Sequence, residues 1–155
     1  MPSPKAPLPK VILLVGLPGS GKSTWAAEQG LPVLSSDAVR GLLADDERDQ
    51  TIHAKVFAAI RYLLRQRVAI GRLVTCIDAT HLTPRERRPY LRMTGVQVEA
   101  VWFDVPVEVC KERNRGRARV VPEAVIDAMA ARMVRPARAE GFARVRVVRN
   151  AGPRL

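Results

Sequence analysis

A short glycine-rich stretch near the start of the chain has the residue types and spacing of a phosphate-binding loop. Residues 16–24 read GLPGSGKST and match the pattern G-x-x-x-x-G-K-[ST]. An apolar run precedes this stretch and a helical pattern follows it, which is the context that such a loop requires. Its glycines let backbone N–H groups converge on phosphate oxygens, and the helix adds the positive end of its dipole. The stretch therefore predicts a nucleotide-binding loop.

Two side chains of this loop suit the chemistry of a nucleoside triphosphate. The Lys22 ammonium can reach the β- and γ-phosphates, and the Ser23 hydroxyl can ligate Mg²⁺. We expect the nucleotide to be ATP or another NTP, with Mg²⁺ as its metal ion. The predicted nucleotide-binding residues of the loop are Pro18, Gly19, Ser20, Gly21, Lys22, Ser23 and Thr24.

Two carboxylates follow the predicted second and third strands. Asp37 comes shortly after the strand at 32–35, and Asp78 closes the apolar run at 73–78. Since parallel strands place their carboxyl ends at one edge of a sheet, we expect both to face the same crevice as the loop. Asp37 is the predicted general base for an acceptor hydroxyl, with a helix cap as the alternative. Asp78 is predicted to support Mg²⁺, with a structural hydrogen bond as the alternative.

Three further residues are candidates for contacts with the acceptor. Arg40 lies one helical turn after Asp37 and could bind an acceptor phosphate. Thr80 and His81 follow the third strand and could touch the acceptor. The other histidine, His53, is interpreted as an ordinary residue without a role in the site.

Residues 113–119 carry four arginines at alternate positions, one glycine and no apolar face. This composition indicates a mobile lid that closes over the triphosphate and supplies an arginine to the transition state. An ordinary solvated loop and a strip that binds nucleic acid remain the alternatives.

Composition limits the class of protein. The chain has 155 residues, of which 47% are hydrophobic, so one domain with a real core is expected. The net charge of +11 suits a polyanionic partner; the alternative is that the arginine content reflects genomic base composition and thermal habit. Cys76 and Cys110 are isolated and indicate a reducing compartment. Without a signal peptide or a membrane-length apolar segment, we expect a cytoplasmic protein.

Strand and helix patterns alternate along the chain, which predicts a parallel α/β sheet of about five strands with helices on both faces. Residues 1–9 are Pro-rich and are expected to form a flexible tail before a single domain at 10–155. A capping box and Pro84 predict a helix start at Thr83, which Pro89 should disturb. The predicted strands lie at 11–15, 32–35, 73–78, 96–105 and 145–148, and a long helix lies at about 51–70.

The chain resembles the kinase domain of bacteriophage polynucleotide kinase, a family of 5′-hydroxyl kinases used in nucleic-acid repair. The resemblance covers most of residues 10–133. The matching pieces are PGSGKSTWA at 18–26, Asp37 with Arg40, Asp78 with Leu82 and Pro84, FDVP at 103–106, Arg113-Asn114, and Val121-Pro122 with the helix after them. The resemblance implies the P-loop NTPase type of fold with an Arg-rich lid. It also implies kinase activity alone, without phosphatase or ligase activity.

The resemblance also implies roles for individual residues. Lys22 and Ser23 would hold ATP and Mg²⁺, Asp37 would be the base for the 5′-OH, and Arg40 would grip the acceptor's 3′-phosphate. Arg117 matches the lid arginine on the donor phosphates. The lid is one residue shorter than in the phage enzyme, so Arg115 and Arg119 remain alternatives. The implied catalytic residues are Lys22, Asp37, Arg40 and Arg117.

The expected substrate is nucleic acid with a 5′-OH end or a nucleoside 3′-phosphate, and neither a membrane nor an obligate protein partner is expected. His81 stands where related kinases often have Asn, and residues 150–153 are expected near the nucleotide base by analogy. A kinase of a metabolite, sugar or antibiotic is the second hypothesis. A nucleotide-dependent binding module is the third.

Overall fold

The computed structural model describes residues 5–149, and the predicted base-contacting loop at 150–153 lies outside this range, as does the start of the predicted tail. Five parallel strands form one sheet in the order β2-β3-β1-β4-β5, which confirms the predicted fold class. The strands are β1 (Lys10–Val15), β2 (Val33–Ser35), β3 (Val74–Asp78), β4 (Gln97–Phe103) and β5 (Arg144–Val148).

Helices cover both faces of the sheet. They are α1 (Lys22–Glu28), α2 (Ser36–Ala44), α3 (His53–Ala69), α4 (Pro84–Leu91), α5 (Val107–Arg115) and α6 (Glu123–Arg132). Short 3₁₀ turns lie at Gln50–Ile52 and Arg138–Glu140. No helix among residues 5–149 combines the length and hydrophobicity needed to cross a bilayer.

The central strand β1 divides the core into two layers because its side chains alternate between the faces of the sheet. Leu13 packs in the layer under α3, together with Ile60 and Leu64. Leu14 packs in the opposite layer with Cys110 of α5 and Ile126 of α6. Both faces of β1 are buried, as expected for a strand in the middle of a parallel sheet. The loop that follows β1 is therefore anchored on a rigid strand.

Several helix boundaries differ from the predicted ones. Helix α2 begins at Ser36 and is capped by Ser35, whose hydroxyl accepts from the Ala38 N–H at 3.2 Å. Asp37 is thus not the cap, because the cap position lies two residues earlier. The predicted capping box of α4 is confirmed. The predicted disturbance at Pro89 is not seen, because the helix runs without a break from Pro84 to Leu91.

A buried arginine ties the loop after β3 to the end of α6. Arg87 is fully buried, and its guanidinium donates to the backbone carbonyls of His81, Leu82 and Val134. Its Nη1 lies 3.1 Å from an oxygen of Glu140, whose carboxylate balances the charge. Every donor edge of the guanidinium is thus used, so this ion pair holds the segment that follows Asp78 in place.

His81 lies in the core and takes a left-handed backbone conformation with φ 46°. Its side chain is 2% exposed, and Nδ1 lies 2.6 Å from the Leu14 carbonyl oxygen. Nε2 has no hydrogen-bond partner among residues 5–149. Burial lowers the pKa of His81 to about 4, although the bond to Leu14 opposes this shift. The imidazole is therefore neutral at pH 7.

Replacing Arg87 with Met is expected to destabilise the protein by about 3 kcal/mol, because it leaves three carbonyls and the Glu140 carboxylate without their donor. Arg88→Met is the matched control, since Arg88 lies exposed on the same helix and should change stability by less than about 0.5 kcal/mol. Urea unfolding monitored by circular dichroism measures both variants. Equal midpoints for the two variants would contradict the structural role given to Arg87.

The buried neutral histidine predicts a loss of stability in weak acid. The pKa of His81 is 6.5 in the unfolded chain and about 4 in the folded chain. Between pH 6.5 and pH 4, the unfolded chain therefore binds a proton at His81 and the folded chain does not. Stability should therefore fall as the pH drops through this window, by about 3 kcal/mol from this group. Above pH 6.5 the group contributes no slope.

We expect His81→Asn to flatten the fall in the free energy of unfolding between pH 7 and pH 5, since Asn cannot titrate and tolerates positive φ. His53→Asn removes an exposed histidine and should keep the slope of the parent protein. Urea titrations at several pH values give both slopes. A slope in His81→Asn as steep as in His53→Asn would show that His81 is not the group responsible.

Candidate active site

The phosphate-binding loop connects β1 to α1 and packs tightly against α5. Gly19 and Gly21 have φ of 82° and 94°, the region that favours glycine. A Cβ on Gly19 would lie 2.4 Å from the carbonyl oxygen of Cys110, so no larger residue fits there. This close approach fixes the loop relative to α5 and to the lid that follows that helix.

Lys22 is the first residue of α1, and its side chain turns back into the loop. Its Nζ donates to the carbonyls of Gly16 at 3.0 Å and Leu17 at 2.8 Å. Burial lowers the pKa of Lys22 to about 8, Asp78 opposes this shift, and the charge of Arg117 adds to it. A buried ammonium with a lowered pKa gains most from an anionic ligand, so this position favours a bound phosphate.

Ser23 and Asp78 provide oxygen atoms suited to Mg²⁺. The Ser23 hydroxyl donates to Oδ2 of Asp78 at 2.6 Å, across the gap between α1 and the end of β3. Among residues 5–149 no group of three or more His, Cys, Asp or Glu side chains could hold a metal ion by itself. Mg²⁺ is commonly held by one or two protein oxygens together with phosphates and water. The pair therefore fits a metal ion that arrives with a nucleotide.

Asp37 lies in the first turn of α2 with its carboxylate between two arginines. Its Oδ1 accepts from Nη1 of Arg40 at 3.1 Å and lies 2.6 Å from Nη1 of Arg119. The Asp37 side chain is 41% exposed, whereas Arg40 is almost fully buried. The carboxylate is therefore held at a fixed place and still open to a ligand.

The loop, the two carboxylates and the lid line one cleft of about 1140 Å³. Of the predicted site residues, those on the cleft wall are Pro18, Gly19, Gly21, Lys22, Ser23, Thr24, Asp37, Arg40, Asp78, Thr80 and Arg117. Ser20 belongs to the loop but does not line the cleft, and its buried hydroxyl has no partner in the described part of the chain. The sheet thus brings together nearly all of the candidates.

His81 is not among the residues that line this cleft, because its side chain points into the core toward Leu14. The expectation that it touches the acceptor does not fit this position. Thr80, one residue earlier, is on the cleft wall. Arg87 donates hydrogen bonds to the carbonyls of His81 and Leu82. These bonds hold the loop so that Thr80 borders the cleft and His81 lies in the core.

The lid loop lies three residues further along the chain than the arginine-rich segment that the sequence delimits. Helix α5 continues through Arg113 and Arg115, and the lid loop comprises residues 116–122 before α6. The buried Asn114 amide pins this loop, since it donates to the Val121 carbonyl at 2.7 Å and accepts from the Val121 N–H at 2.9 Å. Arg115 pairs with Glu123 and is not among the residues that line the cleft, whereas Arg117 and Arg119 are.

One wall of the cleft escaped the sequence analysis. This part of the cleft lining consists of Arg48, Gln50, His53 and Phe57. The ring centroids of His53 and Phe57 lie 4.7 Å apart. The cleft lining also includes the apolar side chains of Val125 and Met129. The four-residue spacing of His53 and Phe57 places them on one face of α3, but nothing in the sequence shows that this face borders a cleft.

Comparison with known proteins places this geometry in a family. A family model described as an AAA domain (AAA_33) matches residues 11–136, which is most of the chain. A solved chain from the Pnkp1/Rnl/Hen1 RNA repair complex is similar with a TM-score of 0.71 and 21% identity. That similarity covers 83% of this chain but 45% of the other, so this chain spans less than half the length of that relative.

Two small-molecule kinases have a similar structure over nearly the whole chain. A gluconokinase from Sinorhizobium meliloti 1021 matches with a TM-score of 0.61 and 21% identity over 94% of this chain and 85% of its own. The APS kinase CysC of Mycobacterium tuberculosis, solved with AMPPNP and APS, matches with a TM-score of 0.57 and 20% identity over 92% and 90%. The chain therefore belongs to the AAA domain family AAA_33 and has the fold of a P-loop kinase.

Proposed function

We propose that this protein transfers the γ-phosphoryl group of ATP to an alcohol, and that the alcohol is the 5′-OH of a polynucleotide or of a nucleoside 3′-phosphate. The observation that carries this proposal is the shared cleft, which both the phosphate-binding loop and the Asp37 carboxylate line. A nucleotide bound on the loop would have its terminal phosphate directed toward the part of the cleft that Asp37 borders.

The donor half of the cleft would bind and neutralise the triphosphate. The N–H groups of the loop and the Lys22 ammonium would hold the β- and γ-phosphate oxygens. Ser23 and Asp78 would hold Mg²⁺, which when bound offsets the charge that develops on the phosphate oxygens. Arg117 lines the cleft, and its positive charge helps to lower the pKa of Lys22. We therefore assign Arg117 to the donor phosphates.

The acceptor half would activate the hydroxyl. Asp37 would accept the proton of the alcohol while the alcohol oxygen forms a bond to the γ-phosphorus. The bond between the γ-phosphorus and the bridging oxygen breaks at the same time, and ADP leaves with the bonding electrons. The proton on Asp37 then passes to water. Arg40 holds Oδ1 of the carboxylate, which leaves the other oxygen to meet the alcohol.

Three features favour a nucleic-acid acceptor. Arg40 suits a phosphate beside the reacting hydroxyl, the net charge of +11 suits a polyanion, and the sequence resembles that of polynucleotide kinases. The similar chain from an RNA repair complex agrees with this choice. Association with a polynucleotide would weaken steeply as salt is raised, because counterions are released on binding.

A kinase of a sugar or another small metabolite is the second candidate. The similarity to the gluconokinase, which extends over 85% of that chain, favours it. The two candidates differ only in the acceptor. A transfer assay with labelled ATP across 5′-OH oligonucleotides, nucleoside 3′-phosphates, sugars and sugar acids separates them.

Replacing Asp37 with Asn should reduce phosphoryl transfer by about 10²–10⁴-fold, because the amide cannot take the proton of the acceptor. ATP affinity, measured by calorimetry, should stay within about twofold, because Asp37 does not belong to the phosphate-binding loop. Asp45→Asn removes the same charge at the other end of α2, where residue 45 has φ 55°, and should leave transfer unchanged.

The assay follows labelled phosphate from ATP to a 5′-OH oligonucleotide. If Asp37→Asn and Asp45→Asn transferred phosphate equally well, Asp37 would not be the base, and a binding module would explain the cleft better. If labelled phosphate reached only sugars or sugar acids, the second candidate would replace the first.

A further inference from the structure

The lid arginines separate to opposite halves of the cleft. The Arg117 N–H donates to the Asn114 carbonyl at 3.1 Å, which keeps Arg117 at the end of α5, beside the phosphate-binding loop. Arg119 lies two residues before Val121, which the Asn114 side chain pins, and its Nη1 reaches Oδ1 of Asp37. Both positions follow from the backbone of a short, anchored loop.

The side chains that line the cleft carry enough positive charge to bind a second anion besides a triphosphate. Among the described residues, its lining has six basic side chains and two carboxylates, those of Asp37 and Asp78. At the acceptor end one oxygen of Asp37 meets both Arg40 and Arg119, and Arg48 is a further basic residue of the cleft lining. Nε of Arg40 is buried without a hydrogen-bond partner in the described chain. Among the side chains that line the cleft, positive charge thus exceeds negative charge.

We propose that Arg119 is an acceptor-side residue, which orients the Asp37 carboxylate together with Arg40 and supplies a second guanidinium for an anionic group on the acceptor. This inference rests on the proposed function and narrows its substrate class to alcohols that carry a phosphate or carboxylate close to the reacting hydroxyl. It also removes Arg119 from the donor phosphates, a role that the sequence left open.

Steady-state kinetics of three glutamine variants tests the assignment, with a nucleoside 3′-phosphate as the acceptor. Arg119→Gln should raise the KM for this acceptor about tenfold, the loss expected for one charge-assisted contact, and should leave the KM for ATP within about twofold. Arg117→Gln should do the reverse. Arg115→Gln is the matched control, because Arg115 pairs with Glu123 outside the cleft, and should change neither constant.

The same acceptor without its 3′-phosphate tests the anion contact. The parent protein should prefer the phosphorylated nucleoside, and Arg119→Gln should lose about tenfold of that preference. A structural defect would lower activity on both acceptors alike and would shift the thermal unfolding temperature. Unfolding temperatures equal to that of Arg115→Gln are therefore expected for both lid variants.

Different failures overturn different claims. A parent protein that transfers phosphate to no alcohol overturns the proposed function and the inference together. An active parent protein in which Arg119→Gln raises the KM for ATP, or leaves the preference for the phosphorylated acceptor intact, overturns the inference alone.

Discussion

Parallel pairing around β1 is the constraint on which the cleft depends. Ser35 lies opposite Asp78 in the register of β2 and β3, and Leu13 lies opposite Ile77 in that of β1 and β3. Three strands thus end at one edge, and a bond of 3.0 Å from the Gly16 N–H to the Thr80 carbonyl joins two of the loops that follow them. A shift of one residue in any pair would move the polar residues at these strand ends by about 3.3 Å and turn their side chains to the other face of the sheet.

Burial gives this edge its electrostatic character. Lys22 and Arg40 are both nearly buried, and each has its charge compensated only in part by carboxylates. A buried cation costs free energy, and an anion that binds beside it offsets that cost. The stability that the core supplies from Leu13, Leu14 and their neighbours is what maintains this arrangement. The two cations are therefore in position before a ligand binds.

The sequence predicted those parts of the fold that depend on local chemistry. The phosphate-binding loop, the capping box at Thr83 and the apolar runs of the strands are local patterns, and the structure has each of them. The position of His81 could not be predicted, because a positive φ and the grip of Arg87 decide which side of the loop faces the core. The wall formed by His53 and Phe57 depends on how α3 packs, which no local pattern records.

The lid shows why an arginine-rich segment cannot be assigned by composition alone. Four arginines at alternate positions are equivalent in sequence, but the helix end at Arg115 and the anchoring of Val121 by Asn114 make them different in space. Arg115 faces outward to Glu123, whereas Arg119 faces inward to Asp37. The two hydrogen bonds between Asn114 and Val121 hold the backbone of this loop, and the backbone sets the direction of the Arg119 side chain. Loop length, as much as charge, thus determines where each arginine of this segment lies.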